Sequence, residues 1–146
     1  MQASFIIRKA TVTDFDAICQ LLQSERLPIA DLNPLLDNFF IAVESDRIIA
    51  VIGMDKYDND GLLRSAIVHK DYRNAGIAAA LIEQLFDHAK QTGVFSLYLI
   101  TNTAEKYFER KGFTKISRDA LPAGVSQSKE FNGLCPSSSV TMFRKL

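Results

Sequence analysis

The sequence predicts a single α/β domain, with a mixed β-sheet that is flanked by helices. Three observations predict this class. Short apolar runs typical of strands alternate with helical patterns along the chain. Two of these runs, 39–44 and 47–54, are joined by the tight turn Ser45-Asp46, which indicates an antiparallel hairpin. Two later runs, 62–68 and 95–100, flank a long amphipathic pattern, which indicates a parallel crossover.

The composition limits the size of the protein and the kinds of partner it can have. A chain of 146 residues is most simply one domain, residues 1–146, with a core of its own. Its hydrophobic fraction of 47% and charged fraction of 23% are ordinary for a globular protein. Lys plus Arg (17) equals Asp plus Glu (17), so no net charge attracts nucleic acid or an anionic membrane. We therefore expect neither as a partner.

The cysteines and the apolar runs bear on the compartment. Cys19 and Cys135 are too few for a disulfide framework and lack the spacing of a zinc site, which fits a reducing cytoplasm. With only His69 and His88, a histidine-built metal site is not expected. Uncharged apolar runs such as 48–54 are too short to span a bilayer, and the start of the chain shows no signal-peptide pattern. We expect a cytoplasmic protein.

The first half of the chain predicts a strand, a helix and the hairpin. The strand covers residues 5–10, and Thr13 is the expected N-cap of an amphipathic helix that runs to about Ser24. A second, short helix is expected between Pro34 and Asn38. After the hairpin, the polar composition of residues 55–61 predicts a loop.

The second half contains the clearest helix of the sequence, over residues 76–92. Its apolar residues fall on one face and its charged residues on the other, and Gly93 is placed to end it in a left-handed conformation. The remaining predicted elements are a buried strand over 95–100, a helix capped by Thr103 and stopped by Gly112, a strand over 113–117, an irregular segment over 118–138 with a helical turn near 123–128, and a last strand over 140–143.

A glycine-containing connection, residues 72–81, links the predicted strand 62–68 to the long helix. We call it the glycine turn. Backbone N–H groups at a helix start have no partner within the helix, and with the helix dipole they form a cradle for a phosphate. A single glycine is weak evidence, because a plain tight connection has the same pattern. The turn lacks G-x-G-x-x-G and Gly-Lys-Ser/Thr, which argues against a dinucleotide or a nucleoside triphosphate.

The order and spacing of motifs carry a family resemblance. Val68, followed by Tyr72-Arg73-x-x-Gly76-x-Ala78 and the long helix, resembles the acyl-CoA signature of the GNAT acetyltransferase superfamily. Residues 104–113 (Ala-Glu-Lys-Tyr-Phe-Glu-Arg-Lys-Gly-Phe) are similar to its second signature, at the expected distance. The order of elements matches over nearly the whole chain. The resemblance implies a single GNAT-like domain with a mixed sheet of about seven strands, splayed at its centre and flanked by helices.

A narrower resemblance points to a small branch of acetyltransferases associated with arsenic-resistance gene clusters. It depends on Gly-Leu-Leu-Arg-Ser at 61–65, Tyr-Leu-Ile-Thr at 98–101, Glu-Phe at 130–131 and Leu-Cys-Pro at 134–136. These residues do not identify a substrate.

The resemblance implies a site for acetyl-CoA as cosubstrate. Backbone N–H groups of residues 74–79 would hold the pyrophosphate, and the pantetheine would lie between strand 62–68 and strand 95–100. The N–H of Val68 would stabilise the oxyanion formed when an amine attacks the thioester directly, without a covalent enzyme intermediate and without a metal. The expected CoA contacts are Ile67, Val68, Arg73, Asn74, Ala75, Gly76, Ile77, Ala78, Ala79, Thr101, Asn102 and Phe108.

Two residues depart from the family pattern. Ala75 stands where a basic residue is common, so Arg73 carries more of the contact with phosphate. Phe108 stands where the family has its thiolate-protonating tyrosine. Tyr107 is the candidate catalytic acid, although it lies about 100° around the helix. The alternatives are that Tyr98 or a water donates the proton, that there is no acid, and that Tyr107 simply packs beside Phe108.

Arg64 is the candidate substrate-binding residue. An arginine in an apolar central strand must reach solvent, a carboxylate or a ligand. Strand alternation places Ala66 and Val68 on its side, facing the expected acceptor cleft, so Arg64 is expected to hold an anionic group of the acceptor. The alternative is a structural ion pair with Glu44 or Asp55.

Further candidates have a functional and an ordinary interpretation. Glu44, Asp55 and Tyr57 lie where a general base could act, and exposed acidic residues are commonly just solvated. His69 directly follows Val68 and could remove a proton, or it could be an exposed loop residue. Cys135 could be a reactive thiol, but a small buried residue is the simpler interpretation.

Three functions remain open at this point. The leading one is transfer of an acetyl group to a primary amine of a small molecule, by a monomer or a homodimer. Phe108 motivates a non-catalytic CoA-binding sensor or partner module instead, and Ala75 motivates an α/β domain that has lost CoA binding.

Overall fold

The computed structural model describes residues 5–27, 29, 32, 34–73, 76–102, 104–126 and 139–146. In these ranges seven strands form one mixed sheet, hydrogen-bonded in the order β1-β2-β3-β4-β5-β7-β6. The strands are β1 (Ile6–Lys9), β2 (Phe39–Glu44), β3 (Arg47–Tyr57), β4 (Asp60–Val68), β5 (Ser96–Thr101), β6 (Thr114–Lys115) and β7 (Val140–Lys145). The helices are α1 (Phe15–Ser24), α2 (Ile77–Gln91), α3 (Glu105–Arg110) and α4 (Ala123–Ser126). The predicted class, a mixed α/β sheet of about seven strands with flanking helices, is confirmed.

The chain divides into two compact units. The first unit comprises Met1–Met54 and Ser65–His88, and the second comprises Asp55–Arg64 and Ala89–Leu146. The glycine turn therefore belongs to the first unit, and helix α3, with Tyr107 and Phe108, belongs to the second. No helix in the described ranges combines the length and the apolar character that crossing a membrane requires.

The first unit is built on the predicted hairpin. β1 pairs antiparallel with β2, and β2 pairs antiparallel with β3, with a register shift between Ala42 and Val43. Helix α1 contributes Ile18, Leu21 and Leu22 to the core that covers this sheet. This burial is the main stabilising term of such a layer, because apolar area is removed from water on both packed faces.

The start of α1 differs from the prediction. The predicted N-cap Thr13 lies inside a turn of 3-10 helix (Val12–Asp14); Thr11 caps this turn, and Asp14 is the N-cap of α1. Asp14 lies three residues after Thr11 and accepts its backbone N–H at 2.8 Å, as in a capping box. Arg8 donates to both oxygens of Asp14 at 2.9 Å. These bonds, that from Arg8 above all, lower the pKa of Asp14 from 3.8 to about 2.

Two further predictions about local structure are wrong. Residues 34–38 form turns rather than a helix, and Leu36 is fully buried with a φ of 54°. The loop predicted over residues 55–61 is also absent, because β3 continues to Tyr57 and β4 begins at Asp60. Asp58 and Asn59 alone make the turn, with Asp58 at a φ of 56°. Asp and Asn tolerate this left-handed region, so two residues suffice and the other polar residues extend the strands.

In the second unit, β4 pairs in parallel with β5 from Asp60 to Leu62. β5 pairs antiparallel with β7 along its whole length, and β7 also pairs with β6. A cluster of Leu62, Tyr98 and Val125 lies under this part of the sheet, with Tyr57 and Phe143 packed against it.

Both predicted helix stops are confirmed. Gly93 follows α2 with a φ of 85°, and Gly112 follows α3 with a φ of 90°. Glycine has no Cβ penalty in this region and is therefore the usual residue after a helix end. The predicted cap Thr103 and the residues 127–138 of the predicted irregular segment lie outside the described ranges.

Candidate active site

The described end of the glycine turn, Gly76 and the start of α2, offers backbone donors to an anion. Gly76 has a φ of 79°, and a Cβ built on it would have no neighbour within 4 Å. Helix α2 begins at Ile77, and its first turn is closed by the bond from the Ala80 N–H to the Gly76 carbonyl at 3.1 Å. The N–H groups of Ile77, Ala78 and Ala79 precede that bond, so they have no carbonyl one turn back in the helix. They can donate to an anion at the positive end of the helix dipole.

Arg73, the cation predicted for this cradle, is engaged inside the first unit. Its Nε donates to the Val68 carbonyl at 3.1 Å, and its NH2 lies 2.5 Å from the Glu25 carboxylate. About half of the Arg73 side chain is exposed (49%), so the guanidinium is accessible to a ligand. The predicted contacts Asn74 and Ala75 lie outside the described residues.

The segment between β4 and the glycine turn is tied to the hairpin. The His69 N–H donates to the Ile49 carbonyl at 2.7 Å, and the Tyr72 hydroxyl donates to Glu44 at 3.0 Å. The bond to this carboxylate raises the pKa of Tyr72. Glu44, a candidate general base, thus has a structural partner in the turn. These bonds fix the approach of the chain to the cradle.

His69 is half-buried rather than an exposed loop residue. Its Nδ1 accepts the Asp71 N–H at 3.1 Å, and its Nε2 lies 3.1 Å from the Arg47 guanidinium. Its ring packs edge-on against Tyr72, with centroids 5.8 Å apart. These contacts support a positioning role, and proton removal by His69 stays a prediction.

The end of β4 departs from a regular strand. Ser65 has a φ of 57°, a left-handed conformation within the strand. The alternation of side chains between the two faces of the sheet is therefore interrupted at Ser65. The prediction that Ala66 and Val68 lie on the same side as Arg64 assumed an uninterrupted alternation and loses that support. Ile67 and Val68 are half-buried, while Ala66 is exposed. Oxyanion stabilisation by the Val68 N–H stays a prediction.

Arg64 is buried in the second unit with a carboxylate partner. Its NH1 donates to Asp55 Oδ2 at 3.0 Å, and 1% of the Arg64 side chain is exposed, against 27% for Asp55. The predicted alternative, an ion pair with Asp55, is confirmed. Glu44, the other partner considered, bonds to Tyr72 instead. A role of Arg64 in binding the acceptor stays a prediction.

Tyr107 and Phe108, neighbours on helix α3, differ in how deeply they are buried. Phe108 is buried (7% exposed) and packs edge-on against Phe113, with centroids 5.6 Å apart. Tyr107 is half-buried, and its ring lies edge-on against that of Phe108 at 5.4 Å. The predicted packing of Tyr107 beside Phe108 is confirmed.

The environment of Tyr107 affects its hydroxyl. The charged groups of Arg110 and Lys111 lie 5.8 and 5.6 Å from its ring centroid. Burial raises the pKa of Tyr107, and Arg110 opposes part of that rise. A tyrosine hydroxyl carries its proton at neutral pH even without this shift, so Tyr107 has a proton to donate. Its catalytic role stays a prediction.

The remaining candidates of the second unit lie on β5 and directly after it. Tyr98 is buried against Phe143, and burial raises its pKa. The Thr101 hydroxyl accepts the Ala104 N–H at 3.0 Å and so fixes the entry to α3. Asn102 is exposed, and its side-chain carbonyl accepts a hydrogen bond from the Ser139 hydroxyl. Their expected contacts with CoA stay predictions.

A groove in the first unit lies apart from the predicted CoA contacts. The groove, of about 700 Å³, runs between α1, β1, the hairpin turn and His69, and none of the predicted CoA contacts lines it.

Within the described ranges, no three His, Cys, Asp or Glu side chains are grouped closely enough to hold a metal ion. Cys19 is half-buried, and burial raises the pKa of its thiol, while Cys135 lies outside these ranges.

With this geometry established, comparison with protein families defines the class. The family model for the acetyltransferase (GNAT) domain matches residues 36–115, more than half of the chain. The chain belongs to this family. The predicted class, an acetyltransferase domain of the GNAT superfamily, is confirmed.

Particular relatives are similar over most of this chain but are much longer. The amino-acid acetyltransferase of Escherichia coli (strain K12) is 27% identical over 136 residues, which cover 87% of this chain and 31% of that protein. The amino-acid acetyltransferase of Salmonella arizonae is 26% identical over 141 residues, covering 90% of this chain and 31% of that protein. The chain thus spans about a third of the length of these curated relatives.

Solved structures share the fold. N-acetylglutamate synthase from Neisseria gonorrhoeae, complexed with coenzyme A and N-acetyl-glutamate, superposes with a TM-score of 0.83 at 19% identity, over all of this chain and 36% of that one. A GNAT-family acetyltransferase from Staphylococcus aureus Mu50 gives a TM-score of 0.78 at 21% identity, over 98% of this chain and 99% of that one.

Sequence reasoning missed the partners of Arg73 and Tyr72. Glu25 lies 48 residues before Arg73, and Glu44 lies 28 residues before Tyr72. Neither acidic residue belongs to a motif or shows a periodicity that points to its partner. Only the packing of α1 and the hairpin beside the turn brings these pairs together.

Proposed function

We propose that this protein is an acetyl-CoA-dependent N-acetyltransferase that acts on a primary amine of a small molecule. The observation that carries the proposal is the start of α2, where Gly76 has a φ of 79° and the first N–H groups of the helix have no partner within it. A pyrophosphate is the ligand with the charge and the acceptor oxygens that such a turn satisfies. The coenzyme A complex of the Neisseria gonorrhoeae enzyme, which has this fold, supports the same ligand.

The proposed reaction is direct acyl transfer. The amine nitrogen attacks the thioester carbonyl carbon, and the carbonyl electrons move to oxygen, where the Val68 N–H donates to the oxyanion. The C–S bond then breaks, the amide is formed and the ammonium proton is lost. Coenzyme A leaves as a thiolate that takes up one proton. Losing a donor of the kind provided by Val68 costs about 3 kcal/mol of barrier, on the order of 10²-fold in rate.

Tyr107 is the proposed donor of that proton. Its hydroxyl is protonated at neutral pH, and its ring contacts Phe108 and lies 5.8 and 5.6 Å, at its centroid, from the charged groups of Arg110 and Lys111. General-acid help contributes about 10²–10⁴-fold, and a CoA thiolate can leave without it, so loss of Tyr107 slows the reaction without abolishing it.

The acceptor is proposed to be an amino-acid-like or toxic metabolite. The relatives named amino-acid acetyltransferases support an acceptor that carries a carboxylate, and the resemblance to the arsenic-resistance-associated branch supports a role in detoxification. Arg64 would then bind the anionic group through its guanidinium, whose planar fork suits a carboxylate. We further propose a cytoplasmic protein that acts through residues 1–146 as one acyl-CoA domain, as a monomer or a homodimer.

One observation favours a second candidate, a CoA-binding sensor or partner module without catalysis. The family position of the acid is filled by Phe108, which is buried and packed against Phe113. A phenylalanine cannot donate a proton, so the module would bind CoA and lack an efficient chemical step.

Calorimetric titration with acetyl-CoA, followed by a thiol-release assay on a panel of amines, distinguishes these proposals. The panel contains amino acids, amino-acid analogues, polyamines and a basic peptide. We expect binding, and turnover on at least one amino-acid-like amine. Binding without turnover on any amine favours the sensor, and absence of binding contradicts both candidates.

A further inference from the structure

The guanidinium of Arg73 is already occupied by groups of the first unit. Its Nε donates to the Val68 carbonyl at 3.1 Å, and its NH2 lies 2.5 Å from Glu25 Oε1. Both side chains are partly exposed, 49% for Arg73 and 36% for Glu25, so a ligand can reach them. A phosphate and a carboxylate present the same kind of acceptor oxygens to a guanidinium. A phosphate of a ligand and the Glu25 carboxylate are therefore alternative partners for the guanidinium of Arg73.

The position of Glu25 makes it a replaceable partner. Glu25 is the C-cap residue of α1, and its N–H bonds back to the Leu22 carbonyl at 3.1 Å. The C-terminus of a helix carries partial negative charge, so a carboxylate is disfavoured there and a cation is favoured. Arg73 is the cation that the structure supplies. Arg73 thus stabilises the charge of Glu25 at this helix end. The guanidinium itself is stabilised more strongly by a multiply charged phosphate than by one carboxylate.

We propose that Glu25 sets the affinity of the protein for coenzyme A by occupying the guanidinium of Arg73 until a phosphate of the ligand displaces it. The inference rests on the proposed function, because it takes coenzyme A to be the ligand of the glycine turn. Its consequence is that removing the charge of Glu25 tightens binding. The expected gain is about two- to fivefold in Kd, and fivefold corresponds to about 1 kcal/mol, the most that an exposed ion pair usually contributes.

The test is a double-mutant cycle on Glu25 and Arg73, read by calorimetric titration with coenzyme A. Glu25→Gln is expected to tighten the Kd by about two- to fivefold, and Arg73→Gln to weaken it by about tenfold. In the Arg73→Gln background, Glu25→Gln is expected to have no further effect, because there is no guanidinium left to compete for. Pantetheine, which has no phosphate, is expected to bind all four proteins equally.

A matched control separates competition from a change in net charge. Asp16 is an exposed carboxylate in the first turn of the same helix, so Asp16→Asn removes the same charge at the other end of α1. Its Kd for coenzyme A is expected to equal that of the wild type. An equal Kd for Glu25→Gln and the wild type overturns the inference and leaves the proposed function intact.

Two further outcomes overturn the inference. Tightening by Glu25→Gln that persists in the Arg73→Gln background does so, because the effect is then long-range repulsion rather than competition. A wild-type protein that binds no coenzyme A overturns the proposed function and the inference with it.

Discussion

The glycine turn of the first unit supplies its hydrogen-bond donors from the backbone, whereas helix α3 of the second unit would supply its proton donor from a side chain. The donors of the turn are backbone N–H groups, placed by Gly76 and the start of α2. The proton donor expected on α3 depends on which side chain holds one position, and that position is Phe108. Backbone donors tolerate a departure such as Ala75, whereas a missing hydroxyl has no substitute on the backbone. Binding is therefore the more robust half of the proposed function, and protonation the more fragile.

The largest expected effect tests the fragile half. Tyr107→Phe removes the proposed acid while keeping the ring that packs on Phe108. We expect kcat to fall by about 10²-fold, with the Kd of acetyl-CoA unchanged within about twofold. Steady-state kinetics and calorimetry measure the two quantities. Tyr98→Phe removes the hydroxyl of the alternative proton donor, whose pKa burial also raises, and is expected to leave kcat unchanged. An unchanged kcat for Tyr107→Phe would show that another group, or none, protonates the thiolate.

The second-largest expected effect concerns Asp14, whose hydrogen bonds stabilise the first unit. The pKa of Asp14 is lowered from 3.8 to about 2, so its bonds stabilise the fold above pH 3.8 and lose their contribution as the pH falls toward 2. Asp14→Asn is expected to lower the free energy of unfolding by about 2 kcal/mol at neutral pH and by much less near pH 2. Denaturant unfolding at several pH values measures this.

The control for Asp14 is Asp16→Asn, at an exposed position of the same helix start. Its cost is expected to be about 0.5 kcal/mol, from the helix dipole alone. A difference between wild type and Asp14→Asn that does not shrink with acid would contradict the linkage.

A pair of glycines tests the robust half. Gly76 and Gly93 have φ values of 79° and 85°, and an added Cβ meets nothing within 4 Å at either position. Gly76→Ala and Gly93→Ala should therefore each cost about 1–2 kcal/mol of stability from backbone strain alone. Only Gly76→Ala is expected to weaken binding of coenzyme A, by about tenfold, because only that strain moves the cradle. Equal affinities of the two variants would contradict the assignment of the turn.

The smallest expected effect concerns Arg64. Arg64→Lys keeps the charge beside Asp55 but removes the planar fork, so we expect the acceptor KM to rise about fivefold with the Kd of acetyl-CoA unchanged. Asp55→Asn tests the ion pair without touching the guanidinium. If Arg64→Lys changes thermal stability and leaves the KM unchanged, Arg64 has a structural role only.

Periodicity and glycine positions predicted the local elements of the fold correctly. Helix α2, its end at Gly93 and the antiparallel hairpin are local patterns, and the structure confirms each. The errors arose where several local solutions compete. Thr11 and Thr13 are each followed three residues later by an aspartate, Asp14 and Asp16, so the capping spacing does not choose between them.

The site was predictable where its groups come from the backbone or from a signature, and less so where they come from packing. The pair of Arg64 and Asp55 was one of two alternatives, because a buried arginine requires a carboxylate but does not specify which one. Glu25 could not be predicted, since its contact with Arg73 spans 48 residues and depends on how α1 ends beside the turn. The left-handed Ser65 within β4 likewise has no sequence signal, because serine rarely adopts that conformation.

The central claim is that the backbone N–H groups at the start of α2 bind the phosphates of coenzyme A. Amide chemical shifts from ¹⁵N–¹H correlation spectra, recorded during titration with coenzyme A and with pantetheine, test it directly. The account predicts that the amides of Gly76, Ile77, Ala78 and Ala79 shift with coenzyme A and remain unchanged with pantetheine. Saturable binding of coenzyme A that leaves these four amides unchanged and shifts others would contradict it.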